Sequence, residues 1–281
     1  MPTLPMVLVN GTEGIGTGFS CYVPPFNPDD IKANIIRILE GEEIVDMRPW
    51  FRGFKGVVHK EEDTWMMEGV WKWSGTNIVV TELPPGRWTQ DYKEYLDGLV
   101  DKKLIGGFVN NSTTDDVHFE IMEYTGRDLL KDLKLRKTFR VSNMHLFHPT
   151  KGIHKYTSPE EILKDFVELR IEHYKKRKTH LIDVLQKKTD ISGYRAKFVS
   201  MVIEGKLVVF RRKKQELEQE ISITFPKVDG SWDYLLNIKT VEYTEERVEA
   251  LMKEATQAKK DLGSMMKTDH IDMWRMDIKN M

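Results

Sequence analysis

Between Pro159 and Gly193 the chain carries neither glycine nor proline. Nothing in that stretch breaks a helix. Ser158-Pro159 ahead of it is a start signal, because serine caps and proline fits the first turn. A helix of about 30 residues would run about 45 Å, longer than a small domain is wide. Its first apolar positions, Ile162, Phe166, Leu169 and His173, are spaced four, three and four. A second helix is predicted from 244, where Val248, Leu251, Ala255, Ala258 and Leu262 follow a heptad rhythm. Between the two lie a short helix at 192–204, a Gly205-Lys206 turn and the apolar patches "LVVF" and "DYLLNI". This pattern predicts an antiparallel coiled coil with a small globular tip. A plain two-helix packing fits the short seam equally well. The basic run Lys175–Lys178 reads as a solvated face of the coil.

Upstream the style is different. Residues 4–9 (LPMVLV) read as a short buried strand, and residues 10–18 as a glycine-rich turn. A capped amphipathic helix is predicted over 29–40, with Asp29 or Asp30 at the cap and Ile31, Ile35, Ile38 and Leu39 on one face. Gly41 stops it. From 50 to 85 the pattern is β, with Trp65, Met66, Met67, Trp71 and Trp73 as its core. A helix over 89–102 with Thr89 as cap, a strand at 116–122, a helix at 127–136 and a strand at 138–147 follow. The fold class is therefore α+β: a mixed part, then a long coiled coil with a small helical tip. The expected divisions are 1–28, 29–157 and 158–281.

Composition excludes several classes. Charged residues make up 31% and no apolar run is long enough for a membrane span. The start "MPTLPMVLVNGTEG" has no basic region or cleavage site, so no signal peptide is expected. Met1-Pro2 reads as an artificial start. Cys21 is the only cysteine, which excludes an internal disulfide and a Cys-rich zinc site. It reads as a buried or half-buried thiol. The histidines lack metal-ligand spacing, so no metal site is expected. Asp115 and Asp116 are adjacent and would face opposite sides of a strand, so no catalytic carboxylate pair is expected. The formal net charge is −1, so any nucleic-acid binding must rest on local patches.

Three local features carry chemistry. The first is the turn Asn10-Gly11 to Gly18. It lacks the Lys-Ser/Thr of a phosphate-binding loop, and no helix follows directly. Glycines also let a backbone approach a polyanion closely. Ile15 in that turn is either tucked into the core, the commoner outcome, or an exposed apolar wedge of the kind that pries base steps apart. The second is Arg87-Trp88-Thr89-Gln90 before a helix. It offers charge, an aromatic face and backbone N–H donors to a phosphate. The alternative is Trp88 stapled onto the following helix. The third is the stretch 127–143, where Arg127, Lys131, Lys134, Arg136, Lys137 and Arg140 outnumber Asp128 and Asp132. A charge run of this kind is more often a solvated face.

"LPMVLVNGTEGIGTGFSCYVP" resembles the segment that follows the active-site tyrosine in eukaryotic-type type IIA DNA topoisomerases. The blocks "GEE", "PWFRGFKG", "TELPPGRWTQDYKEYL", "SNMHLF", "EILKDFVELRIEHYKKRK", "EGKLVV", "DYLLNI" and "MWRMDI" match that family in order along the chain. "EGIGTG" resembles the eukaryotic and viral branch; bacterial relatives carry an "SGIAVG"-like form. The family usually shows "CNSM" where this chain has "VSNM", which leaves Ser142 and Asn143 less securely matched.

The resemblance implies that Ile15 intercalates and bends a gate duplex, with Asn10, Gly11, Gly16 and Thr17 near phosphates or sugars. It implies DNA contacts for Arg87, Trp88, Thr89 and Gln90. It implies them also for Lys134, Arg136, Lys137, Thr138, Arg140, Ser142 and Asn143. Leu207, Val208, Val209, Tyr234, Leu235 and Leu236 become candidates for a homodimer exit gate. The expected partners are double-stranded DNA and a second copy, with no membrane and no small-molecule substrate. The nucleophilic tyrosine, the acidic Mg²⁺ site and the ATPase domain of the family are expected outside this chain. It would then bind no cofactor and be inactive alone, with Mg²⁺ and ATP used by the full enzyme. The resemblance implies a nuclear location if cellular, and host cytoplasm or viral factory if viral. Two other readings are a DNA-architectural coiled-coil protein and a protein-interaction coiled coil with an α+β head. The latter would lack salt-dependent DNA affinity.

Overall fold

The computed structural model describes residues 2–148, 150–239 and 242–281. The chain divides into two compact units, residues 1–168 and 169–281. It mixes helix and antiparallel sheet, as expected of the α+β class.

The first unit begins with α1 (Met6–Asn10), a short helix where a strand was predicted. A six-residue apolar run does not fix its own period. Here Pro5 takes the cap position and its carbonyl accepts from Leu8 and Val9, so only Leu8 is turned fully inward. β1 (Thr12–Gly16) and β2 (Phe19–Val23) form a hairpin. α2 (Pro28–Glu40) follows, with Ile31 and Ile35 buried and Gly41 left-handed at its end. Its cap is Asn27, whose side chain accepts the Asp29 N–H at 2.9 Å, rather than Asp29 or Asp30. Pro28 can therefore occupy the first turn, where its missing N–H costs nothing. Asn34 is buried and satisfied on both sides. It donates to Val45 O at 2.8 Å and accepts from Val45 N at 3.0 Å, which pins the chain after the helix.

Two antiparallel sheets come next. One has the order β3 (Val57–Glu61), β4 (Thr64–Glu68), β9 (Arg136–Phe139). The other runs β5 (Trp71–Ser74), β6 (Asn77–Val80), β8 (Phe119–Met122), β7 (Gly107–Asn110). α3 (Thr89–Asp101) buries Tyr92, Leu96 and Leu99 against Ile78, Val80, Phe119 and Ile121 of the second sheet. Trp65, Met66 and Met67 are buried as predicted, but Trp73 on the edge strand β5 is mostly exposed.

The helix predicted over 127–136 shrinks to α4 (Leu129–Asp132). Its carboxylate explains the stop: Asp132 accepts from Arg127 N, Asp128 N and the Tyr124 hydroxyl. Lys134 then turns left-handed at φ 48°, and the chain leaves as β9. The single strand predicted over 138–147 is split between β9 and β10 (Met144–His148). β10 pairs with β11 (Gly152–Tyr156).

α5 (Pro159–Ile203) spans 45 residues and passes straight through Gly193. A lone glycine costs a helix only about 1 kcal/mol relative to alanine, and flanking burial of Ala196, Phe198 and Val199 outweighs that. The separate helix predicted at 192–204 is thus its last turns. The buried stripe is Leu163, Val167, Arg170 and Tyr174, one position on from the spacing read in the sequence, although Ile162 is buried too. Tyr174 sets that rotation. Its ring stacks on Trp274 at 5.5 Å, its hydroxyl donates to Asp277 at 2.6 Å, and His173 instead bonds Leu169 O. Such a stack adds about 0.5–1.5 kcal/mol beyond its burial.

The rest of the second unit is α6 (Lys214–Ser222), α7 (Asp233–Leu236), α8 (Glu245–Lys267) and α9 (His270–Lys279). Leu251, Ala258 and Leu262 of the predicted seam are buried; Val248 and Ala255 are half-buried. Leu251 packs with Ala196 and Phe198, while Lys178 reaches Met266 O, so α5 and α8 run antiparallel. No described helix is long and apolar enough to cross a membrane.

The start of α5 is held by a carboxylate. Glu161 accepts the Thr157 N–H at 2.7 Å and the Thr157 hydroxyl at 2.8 Å, while Ser158 Oγ accepts Glu161 N at 3.2 Å. The Thr157 N–H above all, then its hydroxyl and His154, hold the Glu161 pKa below its ordinary value. A depressed folded pKa stabilises the fold above the unfolded value, and that stability is lost as pH falls through the folded one. Glu161→Gln should therefore flatten the drop in urea midpoint below about pH 4.3. An unchanged acid-side slope in the variant would remove the carboxylate from this role.

Candidate nucleic-acid interface

The β1–β2 hairpin stands out from the first unit. Thr17 and Gly18 make its turn, with Gly18 at φ 87°. Every residue of β1 is exposed, and Ile15 is 92% exposed. No core contact claims it, so the tucked alternative is excluded. Gly16 and Thr17 flank it at the tip, both exposed.

The foot of the hairpin is tightly held. Gly11 has φ 69°, and a Cβ there would lie 2.8 Å from Val23 O and 2.9 Å from Pro25 N. Tyr22 packs edge-on against Phe139 of β9 at 5.6 Å, and burial, then the Glu13 charge, raises its pKa. Tyr22 N donates to Asn143 O at 3.0 Å, and Asn143 Nδ2 donates to Ser20 Oγ at 2.7 Å. Asn143 thus grips the hairpin from the end of the basic stretch, while Ser142 beside it is exposed. Cys21 is half-buried in β2 opposite Gly14. Periodicity leaves Tyr22 unmarked; its anchoring role depends on β9, more than a hundred residues away in sequence.

Trp88 is 73% exposed, so it is no staple. It takes the cap position of α3 without a side-chain hydrogen bond, and Thr89 is the first helical residue rather than the cap. The first-turn N–H groups of α3 therefore lack a capping side chain. Gln90 is exposed and donates to Glu94 at 3.0 Å. Arg87 is half-buried and faces inward enough for its charge to lower the Tyr92 pKa, against burial, which raises it.

The basic stretch is partly committed to the protein itself. Lys134 Nζ sits 3.8 Å from the centre of the Tyr95 ring. Arg136 is paired to Glu68 at 2.7 Å. Lys137 Nζ donates to Pro85 O at 3.1 Å. Thr138 and Arg140 are exposed, and Arg140 makes no ion pair among the described residues. A cleft of about 400 Å³ is lined by Asn10 and Gly11, by Pro85 and Gly86, and by Lys137. The cleft thereby joins the hairpin foot, including Glu13, to Lys137 of the basic stretch, while Arg87 to Gln90 lie outside its lining.

In the second unit, Leu207 and Leu235 are core residues with Phe198, Ile221 and Phe225. Val209, Tyr234 and Leu236 are half-buried against that core, and the Tyr234 hydroxyl donates to Pro226 O. Much of the two apolar patches therefore belongs to the tip's own interior. Val208 remains outside, joined by Phe210 and by Ile223, which is 86% exposed. Among the described residues no group of three or more His, Cys, Asp or Glu is placed to hold a metal ion.

The family model for the DNA gyrase/topoisomerase IV A-subunit matches residues 1–279. DNA topoisomerase 2 of Penicillium chrysogenum is 33% identical over 100% of this chain and 20% of its own length. DNA topoisomerase 2 of Acanthamoeba polyphaga mimivirus is 29% identical over 99% of the chain and 28% of its own length. The chain thus spans only 20% to 28% of the length of these two relatives. The crystal structure of the Plasmodium falciparum topoisomerase II DNA-binding, cleavage and re-ligation domain matches with a TM-score of 0.91 at 32% identity. That match covers 99% of this chain and 43% of the other.

Gly11 offers a direct test of the hairpin foot. Gly11→Ala forces a Cβ into Val23 O at a left-handed φ. It should destabilise the first unit by more than about 1 kcal/mol. The urea midpoint of the variant measures this; a wild-type midpoint would show that the foot tolerates a side chain.

Proposed function

Because the chain belongs to the DNA gyrase/topoisomerase IV A-subunit family, we propose that it is the DNA-bending and exit-gate part of a type II DNA topoisomerase. The whole enzyme passes one duplex through a transient double-strand break in another, driven by ATP. Cutting chemistry, with its Mg²⁺ and ATP, belongs to other parts of the whole protein. The chain itself acts mechanically. Its partners are double-stranded DNA and a second copy of itself. The workplace follows the DNA, in a nucleus or a viral factory.

One observation carries the DNA reading: an isoleucine almost wholly in solvent at the apex of a firmly footed hairpin. Exposing such a side chain has no benefit to the fold. Inserted between base pairs, it exchanges water for stacked rings and kinks the duplex. Bending a short site costs about 1–6 kcal/mol, offset by phosphate contacts to Lys137, Arg140 and the open end of α3. Arg136 contributes less, since Glu68 already neutralises it. Ile15→Ala should leave the melting temperature unchanged and reduce the bend of an end-labelled duplex, read by energy transfer between its ends. An equal bend in variant and parent would defeat the wedge.

The exit gate rests on Val208, Phe210 and Ile223, apolar side chains left in solvent at the tip. A second copy is their natural cover. Sedimentation should show a dimer that Ile223→Glu weakens by tenfold or more, on the order of 1.4 kcal/mol. A parent that stays monomeric at high concentration would remove the gate from this chain.

A further inference from the structure

The block Pro49–Gly56 shows no distinctive chemistry in its sequence, but its geometry gives it a role. Phe51, Arg52, Gly53 and Phe54 form a tight turn: Phe54 N donates to Phe51 O at 3.1 Å, and Gly53 takes φ 79°. Both flanks are anchored. The Phe51 ring meets Phe139 edge-on at 6.4 Å, and Trp50 N donates to Pro25 O at 2.8 Å. On the far side, the Glu82 carboxylate accepts the Lys55 backbone N–H. Arg52 at the apex is exposed and has no ion pair or hydrogen bond among the described residues.

Arg52 does not stand on an isolated bulge. It lines a cleft of about 630 Å³ that Asn10 at the hairpin foot also lines. That cleft adjoins the one holding Lys137, since both are lined by Asn10, Pro25, Phe51 and Pro85. Among the described residues Glu82 is the one acid in the lining, and it is engaged by Lys55. Phe139 also ties the two clefts together, because its ring receives both Tyr22 of the hairpin and Phe51 of the turn.

We propose that the cleft between Asn10 and Arg52 is a further backbone-phosphate site for the bound duplex, with Arg52 as its cation. This rests on the DNA-bending reading above and extends its footprint past Lys137. The planar guanidinium can fork onto two phosphate oxygens, and the anchored turn holds it ready. Little rotational freedom of the turn is then lost on binding. The contact reads no base, so it adds affinity and register rather than sequence preference.

The experiment is a salt series of duplex affinities, using a fluorescein-labelled linear duplex and the full chain. Each phosphate neutralised contributes about 0.9 to the slope of log affinity against log salt. Arg52→Ala should lower that slope by about one. Its affinity should fall several-fold at low salt and converge on the parent at high salt. Arg52→Lys should keep the slope and lose only part of the affinity, because an ammonium holds the charge without the fork. Ile15→Ala, run beside them, should change the bend and keep the slope. A parent slope and affinity in Arg52→Ala overturn the phosphate site while leaving the DNA reading intact. A parent without salt-dependent binding overturns the DNA reading, and this site with it. Unaltered melting of Arg52→Ala, expected of an exposed turn, separates either result from misfolding.

Discussion

The proposed wedge at the hairpin apex would be only as good as its foot. Ile15 touches nothing in the core, so its direction is set entirely by contacts some residues away. Gly11 lets two backbones close to a distance that a Cβ would forbid. Tyr22 then locks the hairpin to β9 through Phe139, and Asn143 clasps Ser20. A two-stranded hairpin alone is marginal in water. The antiparallel sheets and α3 matter here chiefly because they carry Phe139 and Asn143 to the right place.

Charge follows the same economy. The chain is close to neutral overall, and several cations are already satisfied within it. Arg136 answers Glu68, Lys134 covers Tyr95, and Arg177 pairs with Asp277. Near the hairpin foot, Arg52 and Arg140 are exposed without an ion pair among the described residues, and Lys137 gives a hydrogen bond to Pro85 O. Under the proposed function, cations fixed beside the apolar side chain would grip by position, whereas a broad basic face would act through a long-range field.

Much of this was legible in the sequence. The glycine-free run, its serine-proline start and the heptad seam marked α5 and α8, because helix signals are local and repeat. The α+β character of the first unit was equally clear. Errors fell where tertiary contact overrides local preference. Residues 4–9 lack enough length to declare a period, and α4 ends early because Asp132 finds partners in its own turn. β7 and β11 left no pattern, since short strands show too few alternations. At the interface, exposure of Ile15 and Trp88 could not be read from the residues, which fit a buried role as well. Leu207 and Leu235 lie in the tip's own core, since an apolar run shows that something is covered, not by what.

Asn143 sits where two of the proposed contacts meet. It ends the basic stretch and holds the hairpin strand in one hydrogen-bonded clasp. Under the proposed function, a duplex caught by the basic stretch would be delivered to the wedge at high effective concentration. The second contact would then form without a second search, and the two grips would reinforce each other as avidity does between linked modules.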